Sequence, residues 1–175
     1  MGSTVLVAYA SKHGGTRQIA ERIGQTLRQA GVRVDVAPVD SVHGLDDYGA
    51  VVLGSAVYYG RWRKPAASFL KDREKDLAGR PIWLFSSGPT GKGDAAQLVG
   101  GWRLPEALMP VAERLQTRDT AVFHGALDKA KLGLLERIIA ERVNAAFGDF
   151  HDWKAVDAWA DGIARSLTPL AAQTH

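Results

Sequence analysis

Val5-Leu6-Val7-Ala8-Tyr9-Ala10-Ser11-Lys12-His13-Gly14-Gly15-Thr16 is the stretch that decides the fold. Val5 to Ala8 is a continuous apolar run of strand length, as a central strand covered on both faces requires. A glycine-bearing loop follows. Ile19, Ile23 and Leu27 then recur every fourth residue, which is the stripe of an amphipathic helix ending near Gly31. Strand, glycine loop and helix in direct succession make the first half of a βαβ unit.

The same alternation continues outward from this stretch. Val32-Arg33-Val34-Asp35-Val36 alternates apolar and charged residues, so it reads as a strand at a sheet edge. Between Asp40 and Gly49 there is too little periodic sequence for a full helix, and a short helix or loop carrying Leu45 leads to a third strand, Ala50 to Leu53. A helix burying Phe69, Leu70 and Leu77 precedes a fourth strand, Ile82-Trp83-Leu84-Phe85. A glycine-rich loop, a helix through Leu104, Leu108, Val111 and Leu115 and a fifth strand, Ala121-Val122-Phe123, come next. Two helices close the chain, one through Leu132, Leu135, Ile139, Val143 and Ala146 and one through Val156, Trp159, Ile163 and Leu167. The expected architecture is α/β: a five-stranded parallel sheet of order 2-1-3-4-5 with helices on both faces and one extra helix before the last. No linker or repeat divides residues 1–175, so one domain is expected.

Composition narrows the function classes. Hydrophobic residues make up 46% and charged residues 23%, the balance of an ordinary globular protein. The longest uncharged stretch, Tyr48 to Gly60, is far short of the roughly 20 residues a spanning helix needs. No leader pattern opens the chain, and a cytoplasmic location is expected. There is no cysteine, which excludes disulfides, iron–sulfur ligation and thiolate catalysis, so redox chemistry would need a borrowed cofactor. A net charge of +3, spread along the chain, is too weak to indicate nucleic acid. His13, His43, His124, His151 and His175 show no metal-ligand spacing; all but His13 read as structural or surface residues.

Ligands of an open parallel sheet bind beyond the carboxyl ends of its strands, so the loops after strands one, three and four carry the argument. Ser11-Lys12-His13-Gly14-Gly15-Thr16 offers two hydroxyls, two glycines and a helix amino terminus, which together suit a terminal phosphate. Gly54-Ser55-Ala56-Val57-Tyr58-Tyr59-Gly60-Arg61-Trp62 is rich in aromatics able to stack on a planar ring, with Tyr59 and Gly60 foremost. Tyr58 and Trp62 have packing under the loop as their alternative role. Ser86-Ser87-Gly88-Pro89-Thr90-Gly91-Lys92-Gly93 is not a Walker loop, because Ser86 and Gly93 stand at two required positions. Nor is it a nucleophile elbow, since Leu84 replaces the first glycine. No residue of the three loops is dedicated to acid–base catalysis.

The spacing Ser11…Gly14…Thr16 between strand and helix resembles the phosphate loop of the flavodoxin family, and the resemblance covers nearly the whole chain. It implies FMN. Ser11, Lys12, His13, Gly14, Gly15 and Thr16 would hold the phosphate, Ala56, Val57, Tyr58, Tyr59 and Gly60 would flank the ring, and Ser87, Gly88, Pro89, Thr90 and Gly91 would meet its pyrimidine end through backbone groups. Tyr59-Gly60, Phe123-His124-Gly125-Ala126-Leu127 and Asp152-Trp153 look like the branch containing the menaquinone-dependent protoporphyrinogen IX oxidases, which also has an extra helix, here Leu132 to Phe147.

The resemblance implies electron transfer through FMN, with a redox partner protein or a quinone as partner. A porphyrinogen substrate and peripheral membrane contact are implied by the oxidase branch. Asp128-Lys129-Ala130-Lys131-Leu132-Gly133 departs from that branch in having no aromatic residue, and the extra helix then reads as an amphipathic helix packed on the sheet. Arg61, Arg63 and Lys64 beside the ring loop depart from the acidic surface usual in flavodoxins. A domain of this fold without FMN, acting as a partner-binding module, is the third reading.

Overall fold

The computed structural model describes residues 3–127, 132–142 and 148–172. The strands are β1 (Thr4–Ala10), β2 (Val34–Pro38), β3 (Tyr48–Tyr58), β4 (Arg61–Trp62), β5 (Ile82–Ser87), β6 (Asp119–Phe123), β7 (Ala126–Leu127) and β8 (Gly148–Asp149). The helices are α1 (Gly15–Gln29), α2 (Lys64–Asp72), α3 (Glu74–Leu77), α4 (Ala95–Leu98), α5 (Met109–Arg114), α6 (Leu134–Arg142) and α7 (Trp153–Ala172).

Five parallel strands form the sheet in the order β2-β1-β3-β5-β6, the expected order once the short β4, which folds back antiparallel on β3, is counted. β7 and β8 pair separately. The alternating segment does sit at an edge, but β2 starts at Val34. Val32 is taken by the end of α1, where its N–H donates to the carbonyl of Leu27 at 3.1 Å.

Successive side chains of a strand point to opposite faces, and each face has its own core. Leu6, Ala8, Val51, Leu53, Ile82 and Leu84 meet Phe69, Leu70, Leu77 and Leu108 on one side. Val5, Val7, Val52, Trp83 and Phe85 meet Ile19, Ile23 and Leu27 of α1 and Val156, Ala160 and Ile163 of α7 on the other. The α1 stripe is fully buried, and each such aliphatic side chain contributes about 1.5–3 kcal/mol. Gly54 in β3 lies under Phe85, where a Cβ would stand 2.0 Å from the ring. Phe85 has no room to retreat because it is buried in this same core.

The expected helix through Leu104 to Leu115 is broken. Pro105 precedes a 3-10 turn over Glu106–Leu108, and α5 begins only at Met109 with Pro110 in its first turn. Its four apolar positions are nonetheless buried, so the periodicity reported burial correctly and helix length incorrectly. The extra helix differs more. Leu135, expected in a stripe packed on the sheet, is 70% exposed, as are Leu134 at 78% and Ile138 at 41%. The face of α6 along the groove carries Glu136, Ile139 and Ala140, with the exposed Leu135 at its edge. Residues 128–131, Val143, Ala146, Phe147 and His175 lie outside the described residues.

Candidate flavin site

The loop after β1 leaves the sheet at Ser11 and enters α1 through Gly14, whose φ of 92° is a left-handed backbone that glycine adopts without strain. Ser11 Oγ accepts from the Gly14 N–H at 3.1 Å, closing the turn. No side chain caps α1; its first helical bond runs from Gln18 N–H to Gly14 O at 3.1 Å. The N–H groups of Gly15, Thr16 and Arg17 precede that bond and have no helical acceptor. With the buried Thr16 and the half-buried Ser11 beside them, these donors suit a phosphate.

Lys12 and His13 in this loop both meet Glu136 of α6, at 2.7 Å from Lys12 Nζ and 3.0 Å from His13 Nε2. The hydrogen bond from Lys12, then that from His13, holds the Glu136 carboxyl below its ordinary range. Lys12 Nζ also stands 5.2 Å from the centre of the Tyr58 ring. Burial first, and Glu136 second, raise the Tyr58 phenol above its usual value, with Arg63 opposing them. It is therefore a neutral, half-buried aromatic wall.

Tyr59 and Gly60 make a two-residue hairpin between β3 and β4, with φ of 53° and 70°. Both values are positive, as the type I′ hairpin turn demands. Glycine suits this turn; tyrosine is strained there and stands 68% exposed at the rim. Trp62 packs under the loop and shows one edge to a groove beside α6. It is 6% exposed within the core, and its Nε1–H donates to Ser86 Oγ at 2.8 Å.

The loop after β5 is held from β6 outward. Gly88 N–H donates to Phe123 O at 3.3 Å and Gly125 N–H to Pro89 O at 3.1 Å. The buried His124 ring faces two carbonyls, Pro89 O at 3.2 Å from Nδ1 and Gly93 O at 2.5 Å from Nε2. A Cβ on Gly125 would stand 3.3 Å from Gly88 Cα, so the two backbones run close together.

These loops enclose two connected spaces. A cleft of about 90 Å³ lies between Ser11, Thr16, Ala56, Ser87 and Gly88. A groove of about 790 Å³ opens from it between the β3–β4 hairpin and α6, with Lys12, Val57, Tyr58, Gly88 and Leu132 shared by both. The groove has the size of a small-molecule site. Of the residues singled out from sequence, Gly14, Gly60, Pro89 and Gly91 line neither space; Tyr59 and Thr90 line only the groove. Gly125, Ala126, Leu132 and Glu136 line these spaces and were missed, as was His151 beneath the phosphate loop. Only the family likeness of residues 123–127 hinted at any of them.

The flavodoxin-domain family model matches residues 6–153, and the chain belongs to that family. Among curated relatives it is 28% identical over 83 residues to the protoporphyrinogen IX dehydrogenase [quinone] of Escherichia coli K12, covering 46% of each chain. It is 33% identical over 116 residues to an NAD(P)H dehydrogenase (quinone) of Nitrobacter winogradskyi, covering 51% of this chain and 58% of that one. The chain thus spans about half the length of these relatives. Among solved structures, a flavodoxin from the domain Archaea superposes with TM-score 0.64 at 17% identity, over 94% of this chain and 99% of that one. The rubredoxin oxygen:oxidoreductase of Desulfovibrio gigas superposes with TM-score 0.65 at 15% identity, over 95% of this chain and 36% of that one. The fold and the family are those of flavin redox proteins.

Proposed function

We propose that this chain binds one FMN across the three loops and passes electrons through it to a quinone or a redox partner. The observation that carries the reading is the uncapped start of α1, with Ser11 and Thr16, at one end of a cleft that opens past Tyr58 and Gly88 into a ring-sized groove. Ser11, Thr16 and the free N–H groups would hold the phosphate; Ala56 to Tyr58 and Ser87 to Gly88 would flank the ring. Bound FMN supplies the redox chemistry that these side chains lack. The protein's part is to orient the ring and exclude water from one side of it, while Arg61, Arg63 and Lys64 place positive charge along the groove.

A second reading, an oxidoreductase acting on a largely apolar substrate with carboxylate arms such as a porphyrinogen, is favoured by the groove beside α6. Its walls include Val57, Trp62, Leu135 and Ile139. Such a wall suits a small apolar molecule better than a protein surface. Among the described residues no helix is long and apolar enough to cross a membrane. Stopped-flow mixing of the reduced, FMN-loaded protein with a water-soluble menaquinone analogue tests the proposal. Reoxidation faster than that of free FMN at the same concentration is expected. A rate equal to that of free FMN would leave a carrier that does not serve quinones, and protoporphyrinogen supplied under the same conditions separates the second reading.

A further inference from the structure

His151 sits under the phosphate loop with 1% of its side chain exposed. Its Nδ1 lies 2.7 Å from Asp149 Oδ1, and its Nε2 lies 3.2 Å from the carbonyl oxygen of Gly15, the first residue of α1. Both partners only accept. A neutral imidazole has one N–H and one lone pair, so whichever nitrogen lacks the proton would face an oxygen lone pair. Only a ring that donates from both nitrogens satisfies both contacts. The ring also stacks on Trp153, 4.6 Å between centroids and 17° from parallel, and Arg22 lies 6.0 Å from that indole on its own account. Indole is the aromatic face best suited to cations.

Such a charge has a cost where it stands. A helix amino terminus is already positive, and a cation buried beneath it opposes the helix dipole. Asp149 offsets this only in part, because its carboxylate is 66% exposed and screened by water. Three cationic or donor side chains therefore surround one uncapped turn: Lys12 and His13 outside, each answered by Glu136, and His151 inside, answered by Asp149. An anion bound at the N–H groups of Gly15, Thr16 and Arg17, which have no helical acceptor, relieves what the two carboxylates leave.

We propose that His151, oriented by Asp149, is a positioning residue for the phosphate of the cofactor: a doubly protonated ring that holds Gly15 through its carbonyl and lends its charge to the anion site. This rests on the FMN reading above. It places no group of His151 on the cofactor itself; the ring acts through Gly15 and through its field.

Riboflavin, which has the ring of FMN and lacks the phosphate, is the discriminating probe. The flavin-free full chain is titrated with FMN and with riboflavin, following flavin fluorescence, for wild type and His151→Gln, with His124→Gln as the comparison at the other loop. His151→Gln is expected to weaken FMN by about tenfold and to leave riboflavin within about twofold, so that preference for the phosphate collapses. His124→Gln, at the ring end, should weaken both flavins alike. An equal loss of both flavins in His151→Gln, or no loss, overturns the proposal. Nitrogen-15 NMR of histidine-labelled wild type serves where the variant fails to fold: FMN, and not riboflavin, is expected to shift the ring nitrogens of His151, and no shift with FMN overturns the idea. Wild type that binds neither flavin removes the FMN reading and this inference together; wild type that binds FMN with an affinity untouched by His151→Gln removes this inference alone.

Discussion

The two walls of the cleft are built differently. The α1 wall rests on the sheet: Ile19, Ile23 and Leu27 are completely buried, and Arg22 grips Asp157 of α7 through two hydrogen bonds of 2.7 Å. The α6 wall turns Leu134 and Ile138 to solvent, leaves Leu135 largely exposed along the groove and meets the loop after β1 through the carboxylate of Glu136. One wall is fixed by apolar burial and the other is tied by charge. Apolar burial of this kind makes the α1 wall the more resistant of the two to local opening.

Deleting methyls from each wall breaks the comparison most directly. Ile23→Ala should destabilise the protein by about 2–5 kcal/mol in chemical denaturation, whereas Ile138→Ala on α6 should cost under about 0.5 kcal/mol. Equal losses would mean that α6 is as deeply seated as α1. Gly54→Ala tests the floor beneath both walls: the added methyl meets the Phe85 ring and should cost roughly 1–3 kcal/mol, read in the same way. At the rim, Tyr59→Asn should stabilise the protein by about 1 kcal/mol, because asparagine tolerates the left-handed backbone better and the exposed tyrosine gives up little packing.

The smallest effect concerns the charged tie. Glu136 has its carboxyl lowered by Lys12 and then His13, so in the folded state it stays ionised to lower pH than in the unfolded chain. Its contribution is present above the unfolded-state carboxylate value and is lost as pH falls through the lowered folded value. Glu136→Gln should therefore lower thermal stability at neutral pH by the modest amount of a half-exposed pair, under about 1 kcal/mol. The difference from wild type should shrink as the solution is acidified below the ordinary range of a glutamate. A difference independent of pH would show that the carboxylate charge is not what holds α6.

The α1 wall was legible in the sequence and the α6 wall was not, for a physical reason. A strand buried on both faces and a helix with a fourfold apolar stripe announce themselves by periodicity, and Val5 to Leu27 contains both. The stripe through Leu132, Leu135 and Ile139 carries the same signal, yet the inward face of α6 includes Glu136, whose partners Lys12 and His13 lie more than a hundred residues away. Periodicity reports that a side is apolar; it does not report what that side meets. The loop from Ser11 to Thr16 stands out in the sequence because its hydroxyls, glycines and helix start are neighbours along the chain. His124 and His151 read in sequence as structural or surface residues because no metal-ligand spacing marks them, and the carbonyls they face, those of Pro89, Gly93 and Gly15, are neighbours only in the fold. The broken helix before β6 was misjudged for a local reason that was available: Pro105 and Pro110 interrupt the register that the leucines suggest.

Whether the three loops of this sheet form one FMN site is tested most directly by the flavin content of the purified protein. Saturating the chain with FMN, removing the excess and releasing the bound chromophore by heat should return about one FMN per chain, with the fluorescence of the flavin quenched before release. A protein that emerges colourless and takes up no added FMN would contradict the account at its root.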